Sequence, residues 1–143
     1  MSKDEIQESI IEDFSLYDDW LDKYEYIIGL SDSLEIIDAS KKTPEYIIEG
    51  CQSRVWVDAE TRNDKIYYRA DSDAIIVKGL LALLQRAMNG RTAEEIVGLD
   101  LYFIDSIGLK ENLSPTRGNG LYATIQQMKM YAVAFLAKKN EEK

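Results

Sequence analysis

The 143-residue chain contains no histidine, one cysteine and two prolines. Without histidine the Ser-His and Cys-His nucleophile pairs cannot form. The commonest ligand for zinc, iron and copper is missing too, and so is the usual agent of proton transfer near neutral pH. One cysteine cannot close an internal disulfide. It also cannot supply the several thiolates that hold an iron–sulfur cluster, which excludes a cluster-building scaffold. Long apolar runs are absent. Ala74 to Val77 and Gly79 to Leu84 are separated by Lys78, and each is far shorter than the roughly 20 residues that span a bilayer. Positive charge is scarce: 17 Lys and Arg face 26 Asp and Glu, for a net charge of −9. The charges are interspersed, so the whole surface is acidic and repels nucleic acid and anionic lipid. Neither is an expected partner. The start Met1-Ser2-Lys3-Asp4-Glu5 is too polar for a signal peptide, and a cytoplasmic location is expected.

What remains is enough for one globular domain spanning 1–143. A chain of this size buries about two-thirds of its unfolded surface without staples. Ile6, Ile10 and Phe14 recur at helical spacing, and a second helical pattern runs through Trp20, Tyr24, Ile27 and Ile28 with Asp18 and Asp19 at its first turn. Residues 31–44 read as a connection. The middle reads as β-structure, with a short apolar stretch from Tyr46 to Ile48. Val55, Val57 and Ala59 then alternate with Trp56, Asp58 and Glu60. A second alternation runs from Lys65 to Ala70 after Asn63-Asp64, the signature of a hairpin. The second half is helical. Asp71 or Ser72 is a candidate cap for a helix with the stripe Ile76, Leu80, Leu83 and Ala87, ended by Gly90. Thr92 and Glu95 fit a capping box, and Asp100 is a candidate cap for a short helix ending at Gly108. Ser114-Pro115 opens a long terminal helix with the apolar face Leu121, Ile125, Met128, Ala132 and Phe135, frayed from Lys138. The expected fold is α+β: a small antiparallel sheet of about three strands, packed against helices from both ends of the chain.

A free cysteine is most often a small buried core residue. Cys51, however, follows Gly50 and precedes Gln52 and Ser53, and the strand alternation begins only after it. That places it in a turn before a strand, where reactive side chains concentrate. Ile47, Ile48, Val55 and Trp56 are near in sequence, which points to an apolar resting pocket. Asp71-Ser72-Asp73 reads as helix capping, with a metal-binding pair as the weaker alternative. Gly118 and Gly120, at the start of a helix, point to a backbone segment packed close by. That segment is either the Cys51 loop or an ordinary packing neighbour. Trp20 and Trp56 read as core or interface anchors.

The run Gly50-Cys51-Gln52-Ser53-Arg54-Val55-Trp56 resembles the sulfur-acceptor motif of the SufE family, Gly-Cys-Gln-Ser-x-Val-Trp. The likeness continues in Arg69-Ala70-Asp71-Ser72-Asp73-Ala74, Lys78-Gly79-Leu80, Gly90-Arg91-Thr92 and Leu113 to Leu121. It implies a fold similar to the scaffold IscU. It also implies a covalent carrier rather than an enzyme in its own right. Such a carrier takes a persulfide from a pyridoxal-phosphate-dependent, SufS-like cysteine desulfurase, stimulates it, and hands sulfur to a SufBCD-like assembly complex. The carrier needs no cofactor beyond the transient Cys51 persulfide, the pyridoxal phosphate belonging to its partner, and is expected as a monomer or weak dimer. By resemblance, Gly50, Gln52, Ser53, Arg54, Trp56, Asp71, Asp73, Arg117, Asn119 and Gly120 line the pocket or meet the partner. A single thiol suits a relay, since a second nearby cysteine would attack the persulfide and release sulfide. Arg54, by sequence, and Arg117, by resemblance, are the candidates to stabilise the thiolate. With no histidine as base, activation is expected to come largely from the docked partner. A module that regulates a desulfurase without carrying sulfur is the alternative reading.

Overall fold

The computed structural model describes residues 4–48 and 53–141. Gly50, Cys51 and Gln52 lie outside the described residues. Helices α1 (Glu5–Ser15) and α2 (Trp20–Leu30) come first. The side chains of Asp4 and Asp19 cap them by accepting N–H groups of their first turns. Residues 31–46 are not structureless: three short 3₁₀ turns carry the chain past the sheet, with Ile36 bridged in parallel to Ala70.

Strands β1 (Val55–Arg62) and β2 (Lys65–Ser72) form the expected hairpin, in the register Val55 opposite Ser72 through Arg62 opposite Lys65. Asn63 and Asp64 both take positive φ, 54° and 70°, the turn whose twist matches that of paired strands. The third strand is not the Tyr46–Ile48 stretch, which contributes only a bridge between Ile47 and Trp56. It is β3 (Arg91–Thr92), paired to Lys65 and Ile66. Two residues are too few for any periodic signal.

Helix α3 (Ile75–Met88) follows β2. Asp71 and Ser72 do not cap it. The strand runs two residues further than the alternation indicates, and Ala74 stands at the cap position without a side-chain bond. Ser72 Oγ instead accepts the Ala74 N–H at 3.2 Å. Nine residues of α3 are buried, from Gly79 to Gln85 and at Ala87 and Met88, so the helix is covered nearly all round rather than along one stripe. Gly90, at φ 84°, turns the chain out of it.

Helix α4 (Ala93–Val97) carries the full Thr92–Glu95 capping box. Helix α5 (Phe103–Ser106) is shorter than expected. Tyr102, not Asp100, precedes it, and the Asp100 carbonyl instead accepts a bond from Gln7 Nε2 at 2.9 Å. Helix α6 (Pro115–Glu141) opens as expected, with Ser114 Oγ accepting the Arg117 N–H. It continues past Lys138, and Lys139 pairs with Asp64 of the hairpin turn and with Glu94.

The inner face of the sheet, Val55, Val57, Ile66, Tyr68 and Ala70, is buried with α3 and α6. Tyr68 is fully buried, and its hydroxyl donates to the Met128 carbonyl at 2.6 Å. The outer face carries Trp56, Asp58, Glu60, Arg69 and Asp71.

Candidate functional site: a cavity at the end of the hairpin

Ile48 donates its N–H to the Val55 carbonyl at 2.8 Å, and Ile47 bridges Trp56. The chain therefore leaves β1 pairing after Ile48 and rejoins it at Val55, with Cys51 and Gln52 midway in the connecting sequence. The returning end is clamped on its other side. Asp73 Oδ1 accepts the Arg54 N–H at 3.1 Å, and the Asp73 N–H donates to the Arg54 carbonyl at 3.3 Å.

Beside this returning end lies a cavity of about 40 Å³, lined by Ser53, Val55, Val77, Leu80, Leu81, Leu84, Arg117, Gly120, Leu121 and Thr124. That is room for a few water-sized groups, or for a sulfur-bearing side chain. Its walls come from α3 and the first turns of α6. They are apolar except for the Ser53 and Thr124 hydroxyls and the exposed Arg117 side chain. The Thr124 hydroxyl donates to the Gly120 carbonyl at 2.9 Å. This environment favours a neutral thiol inside and a charged sulfur only where it meets Arg117 or water.

Of the residues expected at the site, Ser53, Arg117 and Gly120 meet at the cavity, and Arg54, next to Ser53 in the chain, is bonded to Asp73 through its backbone. Asn119 is exposed and does not line it. Trp56 and Asp71 face away from it, opposite each other on the outer face of the hairpin. Asp71 is buried there and forms ion pairs with Lys42 and with Lys78, the latter at 3.5 Å. Burial pushes its carboxyl up, but hydrogen bonds from Lys42 and the Ser72 N–H, with both lysine charges, outweigh this and hold it below the usual carboxylate range. Asp71 is thus engaged by two lysines rather than capping α3, and no metal-holding group of three or more His, Cys, Asp or Glu occurs among the described residues. Gly118 does not receive a close neighbour: a Cβ there would meet nothing within 4 Å. A near approach does occur at Gly79, against the Ile27 carbonyl of α2.

The sequence reading missed Val77, Leu81, Leu84 and Thr124 as cavity walls, and Lys42 and Lys78 as partners of Asp71. The unbroken apolar run from Gly79 to Leu84 signals a helix buried on more than one face. Thr124, a hydroxyl within the apolar face of α6, is a signal of the same kind. Nothing in the sequence marks Lys42.

The arrangement defines a small α+β domain with an apolar cavity that includes Ser53, two positions after Cys51 in the sequence. Comparison with known proteins then gives its family. The family model described as SufE, Fe-S metabolism associated domain, matches residues 8–132. An uncharacterized SufE-like protein of Rhizobium etli is 41% identical over 127 residues, covering 85% of this chain and 86% of its own length. One from Synechocystis sp. is 38% identical over 126 residues, covering 88% and 79%. SufE-like protein 1, chloroplastic/mitochondrial, of Arabidopsis thaliana is 39% identical over 123 residues, covering 84% of this chain but 33% of that longer protein. The fold matches the solution structure of a hypothetical protein from Thermus thermophilus, with a TM-score of 0.77 at 19% identity over 92% of this chain and 96% of that one. The chain belongs to the SufE family, a family associated with iron–sulfur metabolism. No described helix is long and apolar enough to cross a membrane.

Proposed function

We propose that this protein accepts sulfur as a persulfide on Cys51 from a pyridoxal-phosphate-dependent cysteine desulfurase, stimulates that enzyme, and passes the sulfur to an iron–sulfur assembly complex in the cytoplasm. The Cys51 thiolate attacks the outer sulfur of the desulfurase persulfide. A new S–S bond forms as the old one breaks, the donor cysteine leaves as its thiolate, and no outside oxidant or reductant is needed.

The observation that carries this reading is the apolar cavity lined by Ser53 and Arg117. Ser53 is two positions from Cys51, and two residues reach at most about 7 Å. A sulfur resting in such a cavity is kept from water and oxidants. At its mouth, Arg117 offers a positive charge to a thiolate or a persulfide anion. An unperturbed thiol is only a few per cent ionised near neutral pH. With no histidine in the chain, the remaining activation comes from the donor site upon docking.

The test is intact mass after incubation with desulfurase and cysteine. The expected result is a gain of about 32 Da that maps to Cys51 and is removed by reductant. Cys51→Ser separates the carrier from a purely regulatory module: loss of both sulfur uptake and desulfurase stimulation supports the carrier, and stimulation that survives the change refutes it.

A further inference from the structure

Charge is unevenly spread along the terminal helix. Although 30% of the chain is charged, the twenty residues from Gly118 to Ala137 hold one charge, Lys129, and no acid. Lys129 turns aside and donates to the Leu99 carbonyl at 2.6 Å. Leu121, Ile125, Met128 and Ala132 of α6 enter the core. The opposite face, Ala123, Gln126, Met130, Val133, Ala134 and Ala137, is uncharged and mostly apolar, with Met130 55% and Val133 43% exposed. Steps of three and four along it make a seven-residue repeat, the seam by which one helix packs along another. Beside the seam is a cavity of about 290 Å³, lined by Ile47, Ile48, Ala123, Gln126, Gln127 and Met130.

We propose that this face pairs with a second copy of the chain, α6 antiparallel to α6 about a two-fold axis at Met130. Symmetry and charge point to that occupant. About Met130 the seam is self-complementary: Ala123 and Ala137 lie seven positions away on either side, Gln126 and Ala134 four, Gln127 and Val133 three. An antiparallel pair sets each against its counterpart, the isologous contact of a two-fold dimer. Alanine meets alanine at both ends, so the two backbones come close. Val133 of the second copy stands opposite Gln127, at the cavity. At a net charge of −9, two copies repel where their acidic surfaces meet, and α6 offers an uncharged face through which they approach. The seam from Ala123 to Ala137 is about 21 Å long. It buries less than the roughly 800 Å² per partner of a standard interface, so the dimer is weak.

Sedimentation equilibrium on the full chain, up to about 1 mM, reads the pairing against a dissociation constant expected at roughly tens to hundreds of micromolar. The mean mass is expected to climb from 16.4 kDa toward twice that value. The climb is steeper at high salt, which screens the repulsion between copies. Met130→Glu is an exposed change of similar helix propensity. It sets two like charges on the axis and is expected to hold the mass at the monomer value, with the unfolding midpoint in dilute solution unchanged. Met130→Lys is expected to do the same alone, and mixing the two variants is expected to restore the dimer. A wild type that stays monomeric throughout overturns the proposal and leaves the face to a partner of another sequence. A dimer that survives Met130→Glu, or two variants that fail to pair when mixed, overturns the two-fold arrangement. No readout uses Cys51 or a desulfurase, so the pairing stands or falls apart from the persulfide reaction.

Discussion

Gly79 packs directly against the backbone of α2, and Gly79→Ala measures how rigidly α3, which walls the cavity, is held. A Cβ at this position would stand 2.0 Å from the Ile27 carbonyl oxygen, 2.7 Å from its carbonyl carbon and 2.8 Å from its Cγ2. Unbonded carbon and oxygen rarely come below about 3 Å, so α2 and α3 must separate by roughly 1 Å in a close-packed interior. Overpacking of this kind costs about 1–3 kcal/mol, and the upper end applies because the obstacle is backbone and cannot rotate away. Alanine returns up to about 1 kcal/mol of helix propensity. The net is about 2 kcal/mol of destabilisation, or a fall of roughly 6–10 °C in midpoint for a domain of this size. Calorimetry and urea titration measure it. Gly118→Ala on α6 is the matched control: a Cβ there meets nothing within 4 Å, so the same propensity acts alone and a gain of about 0.5–1 kcal/mol is expected. A Gly79→Ala protein as stable as the wild type would show that α2 does not press on α3 as described, and the reasoning would fail.

Two further predictions concern the frame around the site. Tyr68→Phe removes the buried hydroxyl bond to the Met128 carbonyl and should cost about 1–2 kcal/mol by chemical denaturation; an unchanged midpoint would mean that this bond does not join sheet to helix. Asp4 governs part of the acid sensitivity. Burial pushes its carboxyl up, but bonds from the Gln7 side chain and N–H and from Arg91 outweigh this and lower it. A depressed folded value contributes stability above the unfolded value, near pH 3.9, that is lost as pH falls through the folded one. The stability gap between wild type and Asp4→Asn should therefore be widest near neutrality and shrink below about pH 4 in denaturation series; a gap independent of pH would refute the role of charge.

Much of the fold is legible in the sequence because its signals are local. The Asn63-Asp64 turn, the Thr92–Glu95 box and the Ser114-Pro115 start each state their geometry within four residues, and all three are realised. The expectations that fail depend on distant contacts. Asp71 looks like a helix cap because the local pattern cannot show Lys42 and Lys78 arriving from other parts of the chain. Gly79 and Gly118 look alike in sequence, yet one faces the backbone of another helix and the other open space. β3 is invisible because two residues carry no period. At the site, the residue types around Cys51 are readable, but which side chains line the cavity depends on where α3 and the start of α6 are brought to the end of β1.

The absence of histidine acquires a physical meaning once the cavity is placed. A carrier that activated its own thiol would hold a reactive anion at rest, open to oxidation and to unintended acceptors. Here the cavity that Ser53 lines is walled mainly by leucines and valines, with Arg117 at the lining and no histidine in the chain. An anion is disfavoured within such walls and stabilised only where the sulfur meets the arginine or a partner. Under the proposed function, reactivity is a property of the docked pair, and the isolated protein stays inert. The cysteine should therefore titrate near or above the ordinary thiol value of about 8.5 when the protein is alone. Alkylation rate against pH measures this directly, and a strongly depressed value in the isolated chain would mean that the protein activates its own sulfur, against the logic of its composition.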